Sequence, residues 1–267
     1  MTATQTDEAG HVRLEKDGAI GWIIMDHAAK HNALTAGMWR SLPALVGEAE
    51  ADAAVRVIVL RGAGDKAFSA GADISEFDTA REGDAASGYA ASNQAAFDAL
   101  SGAGKPVIAM IQGFCLGGGL ALALSCDLRV AAEGSQFSIP PAKLGLGYHP
   151  SWIKTLLACV SPASAKELLF TGERLGYSNA LRMGLINRVF APEALEPGVR
   201  ALAQTIAENA PLTIHAAKCT IDAFSADLAA SKLEELLDLV AKCFASEDYA
   251  EGRRAFREKR KPEFKGR

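Results

Sequence analysis

Two segments of this chain depart from ordinary core composition, and each places small residues after an apolar run. Gly64 to Ile74 reads GDKAFSAGADI and follows VRVIVLRG, while Gly113 to Asp127 reads GFCLGGGLALALSCD and follows PVIAMI. Small residues after a strand let a ligand approach the backbone closely. Gly117, Gly118 and Gly119 lead into LALALS, which reads as a buried helix. The start of such a helix leaves N–H groups without partners, a site for an anion or a developing oxyanion. The same glycines fit a tight helix–strand packing contact equally well, so GGG alone does not decide between them.

Other chemistry is less well supported. GGG lacks the GxxxxGK[ST] of a phosphate-binding loop, and no GxGxxG occurs at the first βα turn. Phe68-Ser69-Ala70-Gly71 is a near miss to the GxSxG nucleophile elbow, with Ala67 where the first glycine should stand, so Ser69 reads as structural. Cys115, Cys126, Cys159, Cys219 and Cys243 include no CxxC pair and fit neither a disulfide framework nor a zinc site. They read as small buried hydrophobes in a reducing compartment. His11, His27, His31 and His215 lack metal-ligand spacing. No metal and no tightly bound redox cofactor is expected.

The elements that must carry these segments alternate. Ala19–Met25, Val55–Leu60, Pro106–Ile111, Asp127–Ala132 and Ile186–Phe190 are compact apolar runs that suit buried strands. A helix opened by Thr35 as N-cap lies between the first two, and Pro43 should bend or shorten it. Beyond residue 150 helices dominate. Ser161-Pro162 reads as a cap followed by a first-turn proline, and Ser178 as the cap of a short helix stopping at Gly184. Leu233, Leu236, Leu237, Val240, Cys243 and Phe244 form one apolar stripe. Ser246 to Arg260 starts acidic and ends basic, matching the helix dipole. The pattern is an α/β core followed by a helical module.

At 267 residues, 49% hydrophobic and 22% charged, the chain is globular rather than disordered. No apolar run approaches the roughly 18 residues of a membrane span. The polar start MTATQTDEAG resembles neither a signal nor a transit peptide, so the expected setting is cytoplasmic. The net charge of −4 divides into a +6 tail over residues 253–267 and a −10 body. Such a tail suits an anionic small ligand or a subunit contact better than nucleic acid.

The order FSAGADI, KPVIAMIQGFCLGGG, CDLRVAA and FSIPPAKLGLG, then LLFTGERLGYSNALRMGLINRVF and SEDYAEGRRAFREKRKPEF, resembles the crotonase family, also called the enoyl-CoA hydratase/isomerase superfamily, over nearly the whole chain. The resemblance implies an α/β spiral of ββα units with a C-terminal helical trimerisation region, as a homotrimer or dimer of trimers. Residues 1–200 would form the core with the acyl-CoA site and 201–267 the oligomerising module. It further implies that two backbone N–H groups hold an acyl-CoA thioester carbonyl, at positions matching Ala70 and Gly118. The backbone of Ala72, Asp73 and Ile74 matches a segment that cradles adenine, Lys66 lies where a cation approaches CoA phosphates, and Phe256 and Lys259 match tail positions closing a neighbour's CoA site. CoA enters as part of the substrate; nucleic acid and membrane are not expected partners.

The chain departs from the family at the two glutamates of the hydratases. Their positions hold Ala121, one helical turn past Gly118, and Pro141. General acid–base groups are each worth roughly 10²–10⁴-fold, so two-glutamate hydration should be severely impaired. Tyr148 and His149, in GLGYHP, are the candidate replacements, Tyr148 the better one. Asp73 fits a turn cap and Ser138 a structural strand end. Three activities remain open: the family's enolate chemistry as hydratase or isomerase, decarboxylation of a malonyl-type CoA, and acyl-CoA binding without catalysis.

Overall fold

The computed structural model describes residues 10–73, 75, 83–226, 228 and 230–267. The chain opens with a hairpin of β1 (His11–Asp17) and β2 (Ile20–Asp26), followed by α1 (Ala36–Ala51). Three turns of strand, strand and helix follow. They are β3 (Val57–Gly62), β4 (Ala67–Ser69) and α2 (Gly83–Ser101); then β5 (Val107–Ile111), β6 (Phe114–Leu116) and α3 (Gly118–Leu124); then β7 (Leu128–Ala132), β8 (Gln136–Ser138) and α4 (Pro141–Leu144). Each turn gives its first strand to a sheet ordered β1-β2-β3-β5-β7-β10 and its second to one ordered β4-β6-β8-β9, where β9 is Leu175–Gly176 and β10 is Arg188–Phe190. That alternation winds the chain into a spiral. The remaining elements are α5 (Pro150–Leu157), α6 (Pro162–Thr171), β9 (Leu175–Gly176), α7 (Tyr177–Arg182), β10 (Arg188–Phe190), α8 (Leu195–Ala207), α9 (Pro211–Ser225), α10 (Leu233–Ala245) and α11 (Glu247–Glu258).

The long strands are apolar throughout because both faces of the larger sheet are covered. Ile58, Leu60, Val107, Ala109 and Ile111 enter one core cluster; Val57, Val59, Ile108 and Met110 enter the other, under α8. Side chains alternate along a strand, so a run such as VIVL feeds both clusters. Fully burying each such side chain contributes about 1.5–3 kcal/mol. Leu195, Val199 and Ala203 of α8 all pack on the sheet. The division expected at residue 200 falls inside this helix, which goes with the core.

Caps at Thr35 and Ser161 form as expected, and Ser246 caps α11 as well, each hydroxyl accepting an N–H from its helix's first turn. Two local expectations are corrected. The α1 helix is not shortened at Pro43, which lies inside it. Ser178 lies inside α7, whose N-cap position is Gly176. In the α10 stripe only Leu236 is buried, while Leu233, Leu237, Val240 and Phe244 are exposed. Among the described residues no helix is long and apolar enough to cross a membrane.

Candidate active site

Both small-residue segments leave strands of the smaller sheet side by side, since β4 pairs with β6 in parallel. The first is pinned by the loop before α1. Asn32 donates its amide to the carbonyls of Ala63 and Ala67 and accepts the His27 N–H. Ser69, fully buried, donates to the Asn32 carbonyl at 2.8 Å and accepts the Gly71 N–H at 3.1 Å. Its hydroxyl is engaged in both directions, which confirms a structural role.

The backbone around Ser69 separates two N–H groups that the sequence could not. Ala70 donates its N–H to the His31 carbonyl at 2.9 Å, so it is already engaged and cannot hold a ligand oxygen. The assignment of Ala70 is corrected on that ground. Asp73 N–H goes to the Leu34 carbonyl, and the Gly71 carbonyl accepts from Leu34. Between them, the Ala72 N–H has no acceptor among the described residues.

The three glycines after β6 do three different things. Gly117 sits at φ 51°, ψ −120°, a conformation that suits glycine. Gly119 packs so closely that a Cβ would lie 2.7 Å from the Ser69 Cβ. Gly118 is the first residue of α3, and its N–H has no acceptor among the described residues. A Cβ on Gly118 would lie 3.7 Å from the Ala72 nitrogen and 3.1 Å from the Trp39 ring. The packing contact and the unspent donor therefore coexist. Ala72 and Gly118, both half-buried, present two neighbouring free N–H groups.

Asp73 is buried and its carboxylate is committed, to the Lys30 ammonium at 2.8 Å and to the N–H and hydroxyl of Ser75. Burial raises its pKa, but these hydrogen bonds and the Lys30 charge outweigh it, holding the carboxyl below its usual value. The turn-cap reading of Asp73 stands. Lys66 is exposed at the entrance to β4. Ile74 lies outside the described residues. Ser138 donates to the Gly172 carbonyl and is structural. Neither Lys30 nor Arg174 was singled out in the sequence, Lys30 because it lies in no motif and Arg174 because TGERLGY gives its guanidinium, 5.0 Å from the Phe114 ring centroid, no distinct role.

Ala121, nearly buried on α3, opens onto a small cavity of about 50 Å³ shared with Phe97, Tyr148 and Trp152. The Tyr148 ring meets Trp152 edge-on at 5.3 Å, and its hydroxyl is buried with no hydrogen-bond partner among the described residues. Burial pushes its pKa well above the ordinary phenol value, so it is a neutral donor. Leaving such a group unpaired costs about 1–3 kcal/mol. His149 is not in this cavity. Its exposed ring caps α5, with Nδ1 accepting the Ser151 N–H at 3.3 Å, so its candidacy as a catalytic group is corrected. Pro141 begins the short α4. Phe256 is 87% exposed on the rim of an apolar groove of about 1050 Å³ between α9, α10 and α11. Lys259 ends α11 in a left-handed conformation.

Comparison with known proteins agrees with the spiral fold. The family model for enoyl-CoA hydratase/isomerase matches residues 15–267. The short-chain-enoyl-CoA hydratase of Clostridium acetobutylicum is 35% identical, covering 97% of this chain and all of its own. The carnitinyl-CoA dehydratase of Proteus mirabilis is also 35% identical, over 96% of this chain and 98% of its own. A solved enoyl-CoA hydratase/isomerase family protein from Hyphomonas neptunium superposes with a TM-score of 0.91 at 38% identity, covering 96% of this chain and 98% of that one. The chain belongs to the enoyl-CoA hydratase/isomerase family.

Proposed function

We propose that this protein is an enzyme of acyl-CoA thioesters that holds the thioester carbonyl between the N–H groups of Ala72 and Gly118 and stabilises its enolate. The observation that carries this reading is the unspent donor pair on adjacent turns of the spiral. Fixed donors favour an oxygen that gains charge in the transition state, and losing one typically costs about 3 kcal/mol. Relatives named as hydratases and dehydratases of CoA thioesters support a lyase or isomerase type of reaction. Ala121 and Pro141 provide no carboxylate, so water is not activated here by a glutamate pair. CoA is part of the substrate and no further cofactor enters the reading.

A second reading, decarboxylation of a malonyl-type CoA such as methylmalonyl-CoA, is favoured by one observation. Loss of carbon dioxide forms the enolate without a base, and the neutral Tyr148 hydroxyl is free to return a proton. Lys66 and the backbone from Ala72 through Ile74 belong to the proposed CoA side of the site. The exposed apolar face of α9 to α11 supports a homotrimer or dimer of trimers, in which Phe256 and Lys259 close a neighbour's CoA site. A cytoplasmic setting belongs to the same reading. A panel of enoyl-, 3-hydroxyacyl- and malonyl-type CoA thioesters read by mass spectrometry tests the proposal. Turnover of a thioester is expected; tight binding without any turnover would instead leave a scaffold.

A further inference from the structure

One short stretch of chain touches both members of the donor pair. Leu34 brackets Ala72: its N–H donates to the Gly71 carbonyl at 2.7 Å and its carbonyl accepts the Asp73 N–H at 2.9 Å. A little further on, α1 carries Trp39 to Gly118. The point that a Cβ on Gly118 would occupy lies 3.1 Å from Trp39 Cζ2 and 3.4 Å from Cη2. The benzo edge of the indole thus closes the space where a side chain at Gly118 would go.

That indole is itself held. It is fully buried, its Nε1 donates to the buried Tyr89 hydroxyl at 3.1 Å, and its ring meets Phe97 edge-on at 5.5 Å. A buried hydrogen bond and an edge-on partner together fix the orientation of a ring. Thr35, accepting the Met38 N–H, fixes the turn that carries it. Gly118 needs such a stop, because it lies in a run of three glycines, whose backbone is the most permissive. Gly119 is wedged against Ser69, and the Gly117 N–H donates to the Ser138 carbonyl at 2.8 Å. The Gly117 carbonyl accepts the Ala121 N–H at 3.1 Å, which holds one end of the Gly117–Gly118 peptide. The other end is the Gly118 N–H, which no hydrogen bond among the described residues aims. Packing against Trp39 is what remains to steady it.

We propose that Trp39 is a positioning residue for the carbonyl site: its indole, tethered through Nε1, sets the direction of the Gly118 N–H toward the oxygen shared with Ala72. The proposal rests on the acyl-CoA reading above and deepens it. The β4–β6 ladder spaces the two donors, and Trp39 aims one of them.

Isotope-edited infrared spectroscopy of butyryl-CoA labelled at the thioester carbonyl carbon tests this, because hydrogen bonds that polarise a carbonyl lower its stretching frequency. In the wild-type protein the bound carbonyl is expected below its frequency in water. Trp39→Phe withdraws the Cζ2–Cη2 edge and the tether, so the frequency should move back toward the free value. Its kcat should fall roughly tenfold, part of the 10²–10³ that outright loss of a donor costs, with KM changing far less. Adding Gly118→Ala to that variant puts a Cβ into the vacated space and should restore part of both. Tyr89→Phe, which removes only the acceptor of the tether, should move both the same way by less. Val46→Ala, in the same core cluster about two turns further along α1, controls for general loosening and should keep the wild-type frequency. An unmoved frequency in Trp39→Phe, no recovery on adding Gly118→Ala, or an equal shift in Val46→Ala would each overturn the role of Trp39. Failure of butyryl-CoA to bind, or a wild-type frequency that stays at its value in water, would instead refute the carbonyl reading itself and the proposal with it.

Discussion

Replacing Gly118 by proline removes one donor of the candidate oxyanion pair while leaving the helix its backbone bonds. Gly118 is the first residue of α3, where an N–H has no intrahelical acceptor and proline is favoured. Its predecessor Gly117, at φ 51° and ψ −120°, lies outside the α region that proline disfavours before it. Gly118→Ala is the matched control. Both substitutions add a Cβ 3.1 Å from the Trp39 ring, but only proline deletes the N–H. A lost oxyanion donor is worth about 2.7–4 kcal/mol, or roughly 10²–10³ in kcat. The alanine variant should therefore lose far less than the proline variant, with KM moving little in comparison. The assay is steady-state turnover of the thioester that the panel identifies, alongside thermal melting of each variant. Equal kcat values for the two folded variants, within about threefold, would refute the role of Gly118.

Further outcomes follow from other parts of the site and fold. Ala121→Glu places a carboxylate beside the unpaired Tyr148 hydroxyl, and hydration of crotonyl-CoA should rise by roughly 10²-fold, the lower end of general acid–base effects; no change in the loss of enoyl absorbance counts against that position. The Asp73 carboxyl is held below its usual value, so its stabilisation is complete above about pH 4 and is lost as pH falls through the lower folded value. The melting-point gap between wild type and Asp73→Asn should accordingly hold above about pH 4 and narrow as the pH falls below it, whereas a gap that stays constant on acidification contradicts the linkage. Glu251, held down to about 2 chiefly by Arg260 and also by the Glu263 N–H, straps the basic tail to α11. Its stabilising contribution is present above its unfolded value and lost as pH falls toward about 2. Glu251→Gln should speed tryptic cleavage after Arg260 or Lys265 at neutral pH; an unchanged rate argues against the strap.

The strands of the larger sheet were legible because burial on both faces writes an uninterrupted apolar run, as in VIVL. The edge strand β1 was not, since HVRLEKD is mostly polar and pairs on one side only. Nor was the smaller sheet, whose strands of two or three residues are too short to show a period. The site was legible as two segments but not as a donor pair. Whether Ala70 or Ala72 offers an open N–H depends on the His31 carbonyl, which lies far from Ala70 in the chain and is invisible in FSAGADI itself. Tyr148 and His149 look alike as neighbours in GLGYHP, yet the turn into α5 buries one hydroxyl and spends the other ring on a cap.

The pairing of β4 with β6 has a mechanical consequence. Ala72 follows β4 by three residues and Gly118 follows β6 by two, so the gap between the two donors is set by neighbouring rungs of one parallel ladder. Such rungs stand about 4.8 Å apart whatever side chains they carry. The hole therefore behaves as a gauge of fixed width, built from main chain and indifferent to most substitutions around it. Side chains such as those at 121, 141 and 148 can be exchanged to change what is done to the acyl group. In the proposed reading, the grip on its carbonyl stays the same.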